Sequence, residues 1–336
     1  MYIVWAVLAF SMLIVGHELG HFTLAKLNGI KVEEFSLGMG PKIFGFKGKE
    51  TEYLIKALPI GGYVKMLGEE DNVNDERAFS SKSPLRRISV IAAGPIMNFI
   101  LALLLFAIIA MNNGFVLPKI NEVIDNSPAM ESGLISGDNI KSLNGKKIST
   151  WEDFAMGVSL GKGENINLQI ERSGEIKDLI ITPRFNEELN KYAVGISPAI
   201  MEKPNFIQSV NYGVLQSKSL INQTFGALKT IFTGKATLND VGGPVTIIKA
   251  TGAAAKSGIW NLLLFAGFLS IQLGIFNLLP FPALDGGWIF LLFIELITRK
   301  KISDKIIGTL NYIGFSCLIV IMILVTIKDI LRPISF

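Results

Sequence analysis

The sequence predicts a mainly α membrane protein with four transmembrane segments, the third of them broken, a membrane-associated β-hairpin loop and an inserted α+β domain. Three observations carry this. Half of the 336 residues are hydrophobic and only 18% are charged, where soluble domains run near 25% charged. The charge is missing in blocks: residues 88–111 and 306–327 have none, and 257–294 has only Asp285. Between those blocks lie stretches of ordinary polarity with strand-like and helix-like patterns.

Residues 1–27 form the first transmembrane helix. Tyr2–Val15 is uncharged, and the pattern continues helically through His17 to Leu27; a basic start and a small-residue cleavage site, the marks of a signal peptide, are missing. Residues 28–87 form a β-rich loop. From Glu52 to Leu67 β-formers dominate, and Pro59-Ile60-Gly61-Gly62-Tyr63-Val64-Lys65-Met66 predicts a bent or broken strand, sparse enough in charge to dip into the bilayer as a hairpin. The uncharged block 88–111 is the second transmembrane helix, since a span needs about 20 apolar residues.

Residues 112–200 form the inserted domain. Asn165–Ile170 and Glu175–Ile181 alternate around Ser173-Gly174, which predicts a hairpin. Thr150-Trp151-Glu152-Asp153 places an acid three residues after a threonine and starts a helix over 151–160. Residues 201–256 carry an amphipathic linker helix, with Ile207, Val210, Val214, Ile221, Phe225, Leu228 and Phe232 at three- and four-residue spacing, suited to the outer membrane surface. Residues 257–336 hold the third and fourth segments. The third begins near Ile259 and breaks over Asn277–Gly287, where two prolines and two glycines stop a helix. Irregular backbone at membrane depth must line a cavity or be buried, so this break is a candidate site.

Basic residues set the orientation. Lys26, Lys31, Lys82, Arg86 and Arg87, then Arg299, Lys300, Lys301 and Lys305, place 28–87 and 298–305 in the cytoplasm, with both termini and the inserted domain outside. The net charge of +4 is then topology, and nothing points to nucleic acid.

The chain has two histidines, His17 and His21. Four apart on a helix, they project from one face with β-carbons about 6 Å apart, the spacing for two ligands of one zinc ion. Glu18 completes H-E-x-x-H, in which the glutamate is the general base. Ionisable residues inside a membrane helix are costly and point to function. Catalytic zinc usually has three protein ligands, and no third histidine exists. Asp285, Cys317 and more weakly Asn98 and Asn277 are the embedded alternatives. Cys317 reads better as a buried thiol in mid-helix, which leaves Asp285, the one acid of the broken segment, as third ligand. Asn98 and Asn277 can orient substrate or equally bond helix to helix.

These residues resemble the site-2 protease family, in its bacterial regulator of sigma-E protease branch. The resemblance covers nearly the whole chain and rests on His17-Glu18-Leu19-Gly20-His21, Gly61–Met66, Gly94-Pro95-Ile96-Met97-Asn98 and Asn277 through Asp285-Gly286-Gly287. The stretch Ser132–Ile140, with Asn144-Gly145 and Trp151, looks like a single PDZ-like domain. The resemblance implies an intramembrane zinc metalloendopeptidase of the bacterial cytoplasmic membrane with one Zn2+ per chain, held by His17, His21 and Asp285, with Glu18 as base. It also implies single-span membrane proteins as substrates, first trimmed by another protease. Asn277 would lie near the substrate backbone, and Gly61, Gly62, Tyr63, Val64 and Lys65 would hold it by strand addition. Asn98 joins them as a substrate-binding candidate. By this topology the metal lies in the cytoplasmic half of the bilayer. Rival readings are a membrane metal transporter, since intramembrane His/Asp sites also serve ion pathways, and an inactive membrane anchor whose PDZ-like domain recruits partners.

Overall fold

A computed structural model describes residues 2–69, 73–187, 190–234 and 242–332. The chain divides into two compact units, Met1–Leu105 with Gln223–Phe336, and Phe106–Asn222. The second unit is the inserted domain with the end of one helix and the start of another added to it.

The first unit opens with α1 (Tyr2–Leu27), followed by β1 (Val32–Lys47) and β2 (Glu52–Met66), then α2 (Pro84–Asn113). Pro84 begins α2, a position where its missing N–H costs nothing. The loop expected to form a hairpin holds two long strands, β2 over the bent strand read from 52–67 and β1 before it. They fold on each other with repeated register shifts. Val32–Leu37 faces Gly62–Met66, and Lys42–Lys47 faces Glu52–Lys56. Gly61, at a φ of 79°, supplies the left-handed backbone at the bend. Ala25, Ile30, Val32, Val64, Met66, Phe79, Val90, Ile91 and Leu292 form one buried cluster, which ties the foot of α1 to the strands and to α2. Further along α1, Leu13, Leu105, Ala266 and Leu269 form a second. Gly20 lets α1 and α2 press together: a β-carbon there would stand 2.2 Å from the carbonyl oxygen of Ala93.

The second unit carries β3 (Phe115–Val123), α3 (Pro128–Glu131), β4 (Asn139–Leu143), β5 (Lys146–Lys147), α4 (Trp151–Leu160), β6 (Ile166–Arg172), β7 (Glu175–Ile181), β8 (Arg184–Asn186), β9 (Lys191–Ala193) and β10 (Ile196–Met201). Its main sheet runs β10-β3-β4-β6-β7, with β5 on β4. The hairpin and the helix expected from sequence are β6–β7 and α4. Thr150 Oγ1 accepts from the Asp153 N–H at 3.2 Å, and an Asp153 carboxylate oxygen accepts from the Thr150 N–H at 3.2 Å, the reciprocal cap of a helix start. Ile140, Phe154, Ile166, Leu168, Ile170 and Ile181 lead the buried core. Asp138 is fully buried beneath it. Arg172 grips that carboxylate through Nε and Nη2 at 2.7 and 2.8 Å, and the Ile135 N–H adds a bond at 3.0 Å. Burial pushes the Asp138 carboxyl up, but those bonds outweigh it and hold it below the usual carboxylate range.

After α5 (Phe206–Phe232), the amphipathic linker helix, come α6 (Pro244–Lys256), α7 (Ile259–Leu278), α8 (Asp285–Thr298) and α9 (Asp304–Leu331). Among the described residues four helices are long and apolar enough to cross a membrane: Val7–Leu27, Pro84–Asn113, Ile259–Leu278 and Lys305–Leu331. The interruption is narrower than expected. Helix α7 runs on through Asn277 to Leu278, because a proline at 280 restricts only the residue before it. Asp285 is the first residue of α8. Cys317 is exposed rather than buried, since α9 shows Ile313, Phe315 and Val320–Leu324 outward as well. Helix α8 is pinned to α2 by a buried ion pair, Arg87 Nη2 to Glu295 Oε1 at 2.5 Å.

Candidate metal centre

Helix α1 delivers His17, Glu18 and His21 together because 3.6 residues per turn bring positions four apart onto one face. Helix α8 delivers Asp285 from its first turn. The three ligand atoms converge: His17 Nε2 lies 3.1 Å from His21 Nε2, and Asp285 Oδ2 lies 3.2 and 3.6 Å from them. A tetrahedral zinc with bonds of about 2.0–2.1 Å sets its ligand atoms about 3.3 Å apart. Asp285 Oδ2 is buried and makes no hydrogen bond, an arrangement that costs energy unless a cation or donor completes it. Two imidazole nitrogens and a carboxylate oxygen are the donor set zinc takes. Among the described residues, His17, His21 and Asp285 form the one group of this kind that can hold a metal ion.

The outer partners of the histidines come from α2. His21 Nδ1 donates to the Val90 carbonyl at 3.0 Å, which leaves Nε2 with its lone pair toward the convergence point. Gly94, one turn further along α2, is where the histidines need space: a β-carbon there would lie 2.3 Å from His21 Nε2 and 2.8 Å from His17 Cε1. Neither residue was singled out as part of the site from sequence, although Gly94 stands in a motif that was; nothing in a single chain says which helix its neighbour will meet.

Chain similarity speaks to the same chemistry. The model of the family described as Peptidase family M50 matches residues 5–321. The chain belongs to peptidase family M50. A zinc metalloprotease of Clostridium perfringens is 53% identical over 99% of this chain and all of its own length. The regulator of sigma-W protease RasP of Bacillus subtilis is 33% identical over 97% of each chain. The PDZ domain of an SdrC-like protein from Listeria monocytogenes covers 26% of this chain and 88% of its own at 17% identity, with a TM-score of 0.23, too distant a likeness to fix the fold. As an M50 peptidase the chain is a zinc metalloprotease, and the transporter and inactive-anchor readings fall away.

The remaining candidates scatter around the centre. Gly62 stands against Glu18: a β-carbon there would meet Glu18 Cγ at 3.1 Å, so the Gly62–Met66 arm begins beside the candidate base. Tyr63 is partly committed within the hairpin; its hydroxyl donates to Glu34 and accepts from Lys56, and Lys56 Nζ stands 2.8 Å from Glu34. Burial pushes the Glu34 carboxyl up, but the bonds from Lys56 and Tyr63 outweigh it and hold it down. Val64 is buried and Lys65 is exposed. Asn277 sits half-buried in the last turn of α7 and takes no part in the hydrogen bonds around the histidines. Asn98 is fully buried and lies against His17, not on a surface open to substrate.

Proposed function

We propose that this M50 peptidase is an intramembrane endopeptidase whose zinc is held by His17, His21 and Asp285, with Glu18 as general base. The observation that carries the reading is the convergence of three ligand atoms on one point, one of them a buried carboxylate oxygen with no hydrogen bond, beside the glutamate of H-E-x-x-H. Zinc in such a site lowers the pKa of water toward about 7 and polarises a carbonyl. Glu18 takes the proton of the attacking water and returns it to the leaving amine. His17, His21 and Asp285 would hold the metal through two imidazole nitrogens and a carboxylate oxygen.

A transmembrane substrate is helical, with its amides already bonded to one another, so it must unwind to be cut. The Gly62–Met66 arm supports capture by strand addition. It pairs on one edge with Val32–Leu37, its other edge is unpaired among the described residues, and it starts beside Glu18. An incoming extended segment recovers there the backbone bonds it loses on unwinding. The outward apolar side chains of the strands, Met39, Ile43, Phe44, Phe46, Ile55 and Leu58, suit contact with lipid. Asn277 is assigned a place near the unwound backbone. The substrates are single-span membrane proteins whose outer domains another protease has removed; the name of one relative, regulator of sigma-W protease, supports a regulatory role. The inserted unit is PDZ-like and extracytoplasmic, and the zinc lies toward the cytoplasmic half of the membrane.

The test is cleavage of a single-span membrane reporter in liposomes by native protein and by Glu18→Gln. The variant is expected to keep zinc and lose about 10²–10⁴-fold in rate. Full activity in the variant contradicts the mechanism.

A further inference from the structure

Helix α2 turns one stripe of positions toward the histidines, Val90, Gly94 and Asn98, each four residues from the last. Val90 fixes His21 through its carbonyl, and Gly94 gives both rings room. The third member faces His17: Asn98 Nδ2 lies 3.2 Å from His17 Nδ1. Asn98 is fully buried, and its Oδ1 has no hydrogen-bond partner.

The metal reading constrains this contact. His17 Nε2 points to the convergence point, 3.1 Å from its counterpart on His21 and 3.2 Å from Asp285 Oδ2. A ligating Nε2 presents its lone pair, so in the neutral ring the proton sits on Nδ1. An N–H facing an NH2 group is donor against donor. Rotating the Asn98 amide by half a turn exchanges its two ends at no steric cost, since they have nearly the same shape, and brings Oδ1 against Nδ1–H. The exchange removes that conflict and pairs one amide atom where the starting orientation pairs neither. Asn98 is held for the task, because its backbone carbonyl accepts from Ser270 Oγ at 2.8 Å, which locks this turn of α2 to α7.

We infer that Asn98 is a positioning residue for His17: its side-chain oxygen accepts from Nδ1–H, sets the ring's tautomer and orientation, and so presents Nε2 to zinc. The inference rests on the metal site proposed above. The two histidines then have matched outer partners on one stripe of one helix, a backbone carbonyl for His21 and a side-chain carbonyl for His17. Loss of such a partner typically costs about 10–100-fold in metal affinity.

The experiment measures zinc affinity by chelator competition in the full-length detergent-solubilised protein, native and as Asn98→Leu, Asn98→Ala, Asn98→Asp and Asp285→Asn. Asn98→Leu and Asn98→Ala should bind zinc about 10–100-fold more weakly, while Asn98→Asp, which offers an acceptor and no donor, should stay within a few-fold of native. Asn98→Ala covers the case in which leucine prevents folding, and thermal midpoints identify a folding defect. Native affinity in Asn98→Ala, or a loss in Asn98→Asp as large as in Asn98→Ala, overturns the inference. Asp285→Asn separates the two claims: if it loses zinc while the Asn98 variants do not, the metal site stands and the role of Asn98 fails; if Asp285→Asn keeps native affinity, the metal site itself fails.

Discussion

Two aspartates, one in each unit, hold buried carboxylate oxygens in opposite states. Asp138 of the inserted unit is fully satisfied, with two bonds from Arg172 and one from the Ile135 N–H. Asp285 of the helical unit has a buried oxygen with no hydrogen bond, beside two imidazole nitrogens. The first arrangement stabilises a fold, because leaving such a group unpaired costs free energy that the folded state avoids. The second costs energy until a cation, or a proton on one of the two imidazoles, completes it. The lesson is that burial of an acid does not by itself mark a site; burial without a partner, next to other ligands, does.

The comparison breaks most sharply at Gly94. A methyl group there overlaps both histidine rings, so Gly94→Ala should displace them and cost about 10²-fold in cleavage, the penalty expected of a misplacement near 1 Å. Gly308→Ala is the control, since its β-carbon would meet nothing within 4 Å, and its activity should match native. Equal activity in the two variants would show that the α1–α2 contact does not define the centre.

Asp138→Asn should destabilise the inserted unit by about 2–3 kcal/mol, the scale of hydrogen bonds to a charged group, and leave zinc content unchanged. Amide exchange of β4 and β6 in the full-length protein reads the first effect, and metal analysis reads the second. The same pair gives a pH dependence. Its folded pKa is depressed, so its contribution is complete above the unfolded value of about 3.9 and is lost as pH falls through the folded one. Exchange protection in β4 and β6 should therefore hold from neutral pH down to about 4 and fall below it, and Asp138→Asn should flatten that fall. The smallest effect is at the α4 cap: Thr150→Ala should cost about 1 kcal/mol, seen as faster exchange over the first turn of α4.

Much of this was legible in the sequence where the signal is local. The α4 cap needs three residues, the β6–β7 hairpin needs an alternating pattern around Ser173-Gly174, and the histidine pair needs one helix. Asp285 was legible for a different reason: an acid alone in a long apolar stretch must be accounted for. What stayed hidden is contact between distant segments. Val90, Gly94 and Asn98 matter because α2 packs on α1 some 70 to 80 positions away, and an apolar helix carries no mark of which face meets which neighbour. Strand β1 was obscured by Gly38, Gly40, Pro41 and Gly45, which weaken any strand pattern yet suit its bends. Helix α6 gains from a partner far along the chain, since Asp329 Oδ2 accepts from the N–H groups of Gly243 and Thr246 at 2.9 Å each. Asn277 was placed in the break because the prolines were read as ending the helix earlier than they do.

His17, His21 and Asp285 are proposed as a zinc site that the chain leaves unfinished. Zinc-edge X-ray absorption on the purified protein tests it most directly. One zinc per chain is expected, with two imidazole nitrogens and carboxylate oxygen in its shell, and loss of that signal in Asp285→Asn. An unchanged zinc spectrum and full zinc content in Asp285→Asn would contradict it.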